Sequence, residues 1–167
     1  MKESEYLEAR TDLVKKLKDF PFFKNINPEH LLDMLKLSKL RSYDEGEVIT
    51  PEGVYDSWIY VVVYGEVKVS KGGVELARFN ESGDTFGELA IIDGEARSAT
   101  VSATIKTKCL AIDASFLDRL PLEEQSAFYS IFYRMLAEIL SKRLRETGQE
   151  LAQCKAELQL LKSKSSK

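Results

Sequence analysis

Phe86-Gly87-Glu88-Leu89-Ala90-Ile91-Ile92-Asp93-Gly94-Glu95-Ala96-Arg97-Ser98-Ala99-Thr100-Val101-Ser102-Ala103 decides how this chain is read. Gly87 offers a position without a Cβ, where the backbone can come close to another group. Glu88 to Ile91 can close one helical turn whose first N–H groups have no partner inside the helix, and such donors suit a phosphate. Asp93-Gly94 is a turn pair. From Arg97 to Ala103 the pattern has period two, so Arg97, Ala99, Val101 and Ala103 share one face of an expected strand. That face is apolar except for Arg97. A guanidinium turned toward a core needs a partner, and its planar fork matches phosphate oxygens. The loop donors and the arginine together point to one bound anion.

A carboxylate beside an anion site repels the ligand unless neutral hydroxyls of the same ligand donate to it, and a ribose supplies them to Glu88. Phe86-Gly87-Glu88, an apolar turn and then Arg97-Ser98-Ala99-Thr100 resemble the phosphate-binding cassette of the cyclic-nucleotide-binding domain family, found in catabolite activator protein and protein kinase A regulatory subunits. Gly46, Gly53 and Gly65, in Asp44-Glu45-Gly46-Glu47-Val48-Ile49, Glu52-Gly53 and Tyr64-Gly65-Glu66-Val67, extend the resemblance over about Phe22 to Leu120. The resemblance implies that Gly87, Leu89, Ala90, Arg97 and Ser98 hold the cyclic phosphate and that Glu88 binds the ribose 2′-hydroxyl. Ala99, Val101 and the rings of the following helix, Tyr129, Phe132 and Tyr133, are the candidates for the base. It implies cAMP as ligand with cGMP as the alternative, since Ser98 stands where some members that prefer cGMP carry threonine. Without the resemblance, Glu88 and Arg97 could also simply pair across a loop.

At 167 residues the chain has room for one domain with a sizeable core and an appended helix. A net charge of -3 and a pI near 5.4 argue against a general nucleic-acid binder. No apolar run reaches the roughly 20 residues that cross a bilayer, and the N-terminal residues have no signal-peptide core, so a cytoplasmic protein without a membrane contact is expected. Cys109 and Cys154 are far apart and read as reduced thiols. His30 is the single histidine. A cupin-type metal site needs several histidines and carboxylates, so the inventory excludes one, and no catalytic residue or metal is expected.

Along the chain, Glu3 to Phe20 reads as a loose amphipathic helix within an N-terminal segment 1–21. Asn27 and Pro28 read as N-cap and first residue of a helix to Leu37, with Leu31, Leu32, Met34 and Leu35 buried. Strands are expected at Val48–Thr50, Trp58–Val63, Glu66–Ser70, Val74–Phe79, Arg97–Ala103 and Lys108–Ile112, with Gly72-Gly73 turning a hairpin. The fold class is therefore α+β: an antiparallel β-roll of the jelly-roll or double-stranded β-helix type over 22–120, flanked by N-terminal helices and a long C-terminal helix.

Ala114 to Leu120 reads as a short helix before the long one, which starts near Pro121. Segment 121–147 is the expected lid, with Phe128, Tyr129, Phe132 and Tyr133 at its aromatic start. Segment 148–167 reads as a short coiled coil and basic tail: Leu144, just before it, Leu151 and Leu158 taken as a positions put Thr147, Cys154 and Leu161 at d, with Glu150 and Glu157 at g and Lys155 and Lys162 at e. That order favours a parallel homodimer through this helix, and Lys162 to Lys167 reads as a disordered tail. The resulting expectation is a cyclic-nucleotide sensor, not an enzyme, that couples ligand to helix movement, dimerisation or a downstream protein partner. A non-binding dimeric scaffold and a truncated transcriptional regulator are the alternatives, and the latter lacks the further helices a DNA reader needs.

Overall fold

Short apolar runs broken by glycine cannot satisfy their own backbone groups, so the segments between 38 and 113 must pair with one another. They do so in two antiparallel sheets. The computed structural model describes residues 1–7, 11–20, 23–24, 26–115 and 122–165. Its strands are β1 (Lys2–Tyr6), β2 (Ser38–Tyr43), β3 (Val48–Thr50), β4 (Trp58–Tyr64), β5 (Val67–Lys71), β6 (Val74–Phe79), β7 (Thr85–Phe86), β8 (Thr100–Ala103) and β9 (Thr107–Asp113). The helices are α1 (Thr11–Leu17), α2 (Pro28–Lys36), α3 (Leu89–Asp93) and α4 (Leu122–Ser165). A five-stranded sheet runs β1-β2-β9-β4-β7 and a four-stranded sheet β3-β8-β5-β6. This is the expected roll.

Tyr43, Tyr60, Val62, Val67, Phe86, Val101, Ala103, Cys109 and Ala111 form a core drawn from both sheets. Burial pushes the Cys109 thiol up to about 12, and it also raises the Tyr43 phenol. Ile59, Val61, Leu110 and Ile112 are buried as well and, by alternation, lie on the opposite face of their strands. Burial on both faces explains why β4 reads as an almost unbroken apolar run. The β5–β6 hairpin turns at Gly72 and Gly73, with φ of 54° and 83°, between the paired residues Lys71 and Val74. Two positive φ values in a row are what the Gly-Gly pair makes cheap. Asn27 caps α2 by accepting from the Glu29 N–H at 3.1 Å, and Leu31, Met34 and Leu35 are buried on that helix.

Four expectations are corrected. Residues 2–6 are a strand and only Thr11–Leu17 is helical in the N-terminal segment, because β1 completes the edge of β2. Glu3 holds Lys39 and Arg41 at 2.6 Å each, and the Leu40 N–H donates to Ser4 Oγ at 3.0 Å. β2 and β7 are strands beyond the expected ones: Lys39 and Arg41 disguise the alternation of β2, and the two-residue β7 is too short to show a period. The strand expected from Arg97 begins only at Thr100. The basic segment expected to be a disordered tail continues α4 as far as Ser165. The expected short helix at 114–120 falls mostly outside the described residues.

The chain divides into a unit Met1–Ile131, which holds the roll, and a unit Phe132–Lys167. Within the second, Phe132, Met135 and Leu136 are buried, whereas Leu144, Leu151, Leu158 and Leu161 are exposed.

Candidate functional site

The loop from β7 through α3 to β8 forms one corner of the roll. Tyr60 and Phe86 are paired across β4 and β7 and stack with centroids 5.0 Å apart, which anchors the loop at its start. Gly87 follows with φ 87°, a conformation costly for any residue with a Cβ. A Cβ there would also meet Arg97 Nη1 at 2.5 Å and the Trp58 carbonyl at 2.9 Å. The glycine thus lets the arginine in. Glu88 stands at the N-cap of α3 and is 2% exposed, but its side chain does not cap the helix. The Ile91 and Ile92 N–H groups bond back to the Glu88 carbonyl at 3.1 and 3.2 Å. The amides of Leu89 and Ala90, the two residues just before these, belong to the set that a helix cannot satisfy itself.

Arg97 is the buried charge that the sequence pattern singles out, at 4% exposure. Its backbone is clamped, its N–H donating to the Val54 carbonyl and its carbonyl accepting from the Gly53 N–H, both at 2.8 Å. The guanidinium donates from Nη1 to the Gly87 carbonyl at 2.6 Å and from Nε to Asp56 Oδ2 at 3.2 Å. Nη2 donates to Asp56 Oδ1 and to the Trp58 carbonyl. These bonds engage four of the five guanidinium N–H groups, so one on Nη1 remains beside Gly87.

Asp56 was not among the residues singled out from sequence. It lies 41 residues before Arg97, and the backbone bonds of Arg97 to Gly53 and Val54 bring the two together. One local signal existed: Asp56 Oδ1 also accepts from the Trp58 N–H at 2.9 Å, an Asx-type turn that opens β4. Asp56 neutralises Arg97 and competes with any anion for its donors.

The other candidates are spread out. Leu89 and Ser98 are exposed, Ala90 and Ala99 half-buried. Val101 is 5% exposed and packs in the roll core. Tyr129 is half-buried in the first unit. In the second, Phe132 is buried and Tyr133 exposed, their rings edge to face at 6.1 Å. The Phe128 side chain lies outside the described residues. Among the described residues no group of three His, Cys, Asp or Glu side chains could hold a metal ion, and no helix is long and apolar enough to cross a membrane.

A buried arginine against a glycine, an acid at the N-cap of a one-turn helix, and a roll of nine strands among the described residues form a combination that can be compared with known proteins. The sequence model for the cyclic nucleotide-binding domain matches residues 40–124. The chain belongs to that family. Among its curated relatives is the cAMP-dependent protein kinase regulatory subunit of Eremothecium gossypii, 33% identical over 104 residues, which cover 62% of this chain and 23% of that one. The cGMP-dependent protein kinase of Toxoplasma gondii is 39% identical over 80 residues, 48% of this chain and 8% of that one. The chain thus spans less than a quarter of either relative. Catabolite activator protein from Thermus thermophilus has a similar structure, with a TM-score of 0.61 and 27% identity over 79% of this chain and 62% of that one. The family model's span of residues 40–124 includes the whole stretch from Phe86 to Ala103.

Proposed function

We propose that this cyclic nucleotide-binding domain works as a sensor without catalytic activity in the cytoplasm, taking cAMP in preference to cGMP. The cyclic phosphate is assigned to Arg97, the Gly87, Leu89 and Ala90 backbone and Ser98, and the ribose 2′-hydroxyl to Glu88. Ala99, Val101 and an α4 ring, Tyr129, Phe132 or Tyr133, are assigned to the base. The observation that carries this reading is Arg97 at 4% exposure, with its Nη1 held against Gly87 and a donor to spare. A ligand changes the helical segment's equilibrium only by its difference in affinity between two arrangements. The output in this reading is a change in α4 presented to a protein partner or a second copy.

The Arg97–Asp56 pair also favours a second reading, a scaffold in which the arginine is purely structural. Calorimetric titration with cAMP and with cGMP separates the two. The sensor reading expects saturable binding, tighter for cAMP, and a weaker response from Glu88→Gln, which removes the charge that accepts from the ribose. No heat and no melting shift with either nucleotide would leave the scaffold.

A further inference from the structure

Leu144, Leu151, Leu158 and Leu161 are 76, 53, 52 and 65% exposed on a helix that runs unbroken to Ser165. Their spacing places the first three at a and Leu161 at d, with Thr147 and Cys154, both exposed, at the d positions between them. Leu160, at c, falls outside the stripe. An apolar row along one side of a helix costs free energy in water unless something covers it.

The charges beside the row say what covers it. Glu150 and Glu157 occupy g, and Lys155 and Lys162 occupy e. In a parallel pair of identical helices each g residue faces the e residue of the next heptad in the other copy, so Glu150 meets Lys155 and Glu157 meets Lys162, twice over by symmetry. In an antiparallel pair g faces g and e faces e, which sets glutamate against glutamate and lysine against lysine. We infer that residues 144–161 form a parallel, in-register coiled coil with a second copy of this chain, in which Cys154 faces its own counterpart. This deepens the dimer part of the function proposed above and is independent of the nucleotide part. Loss of nucleotide binding leaves it standing, and loss of association leaves the cassette standing. The seam is short and Gly148 loosens it at e, so association depends on protein concentration.

Sedimentation of the whole chain across the micromolar to millimolar range should show the mass rise from monomer to dimer. Glu150→Lys with Glu157→Lys makes every charged e and g position basic, and Lys155→Glu with Lys162→Glu makes the four acidic. Each doubly substituted chain should associate with itself more weakly, on the order of tenfold, and the mixture of the two should recover a heterodimer. Orientation is read separately by oxidising Leu161→Cys in a Cys154→Ser background. Parallel helices bring the two new thiols together and a disulfide-linked dimer forms, whereas antiparallel helices hold them roughly 25 Å apart at 1.5 Å per residue. Cys154 itself lies too near the middle of the seam to make that distinction. Circular dichroism confirms that each variant keeps its helix. A monomer at every concentration, a mixture no tighter than its parts, or a dimer without the Leu161→Cys crosslink overturns the inference.

Discussion

Arg97 and Arg41 both reach an acid far away in sequence, Asp56 at 41 residues and Glu3 at 38. Both also touch Trp58, Arg97 through the carbonyl and Arg41 with its guanidinium 4.1 Å above the ring. Their remaining partners differ. Arg41 donates to Glu3 Oε2 at 2.6 Å and to the Tyr60 hydroxyl at 2.8 Å, and the Tyr60 ring lies 5.7 Å away. Side chains surround it, and both its charge and its flat face are taken up by them. Arg97 instead donates to two backbone carbonyls and lies where the absent Cβ of Gly87 would be. Those carbonyls fix its direction, while Asp56 offsets its charge. Burial and an acid partner are common to both corners, whereas the close-approach glycine and the helix-start amides that the proposed anion site needs lie beside Arg97.

Replacing Arg97 should break this contrast most severely. Arg97→Ala is expected to weaken cyclic nucleotide binding on the order of a hundredfold or more, since it removes the buried cation and the spare Nη1 donor assigned to the phosphate. It is not silent for the fold, because Asp56 and two carbonyls lose their donor, and a stability loss of about 2 to 4 kcal/mol is expected in a denaturant melt. Arg97→Lys keeps a charge but not the fork. It should lose most of the binding with a smaller stability cost, and normal affinity in that variant would remove Arg97 from the phosphate.

Gly87→Ala comes next. The added methyl meets Arg97 Nη1 at 2.5 Å in a backbone held at φ 87°. Strain of about 1 to 3 kcal/mol is expected, together with weaker nucleotide binding as the guanidinium is pushed aside. Stability falling while affinity holds would separate the glycine from the site. Arg41→Met keeps an apolar stem on Trp58 and discards the charge. It should cost about 1 to 2 kcal/mol and leave nucleotide affinity within a few-fold. A loss of binding comparable to that of Arg97→Lys would erase the distinction between the two arginines.

The smallest effect is that of pH on the β1 edge. The hydrogen bond from Lys39 first, and then the one from Arg41, hold the Glu3 carboxyl below its ordinary value of 4.5. A carboxyl lowered in the folded chain stabilises it above the unfolded value and loses that contribution as pH falls through the folded one. The pair is partly exposed, so the effect should be small and local: faster amide exchange in β1 and β2 below about pH 4.5, with the centre of the roll unchanged. Glu3→Gln should abolish that pH dependence.

Most of the roll was legible because its strands carry their own signals. Val48–Thr50 and Val74–Phe79 coincide with the expected segments, and Gly72-Gly73 turns where a Gly-Gly pair must. β1, β2 and β7 were not legible. β1 has no apolar face of its own and exists as a strand because β2 offers an unpaired edge and two cations for Glu3. β7 consists of two residues held by Tyr60 and Val61. At the site, Gly87, Glu88 and Arg97 stood out as a local pattern. Asp56, which shares the guanidinium with two carbonyls, did not, since no short-range spacing links it to Arg97.

Local order along the chain determined the hairpin turns, the alternating strands, the capped start of α2, the heptad row on α4 and the presence of an arginine that had to be buried beside a glycine. These are consequences of periodicity and of backbone conformations that few residues tolerate, and both operate within a handful of positions. Tertiary structure alone decided that residues 2–6 became an edge strand, that Asp56 closes on Arg97, and that Gly87 makes room for a guanidinium as well as for a turn. Those outcomes depend on which distant strands pair, and the free energy that selects a pairing is spread over the whole buried interface.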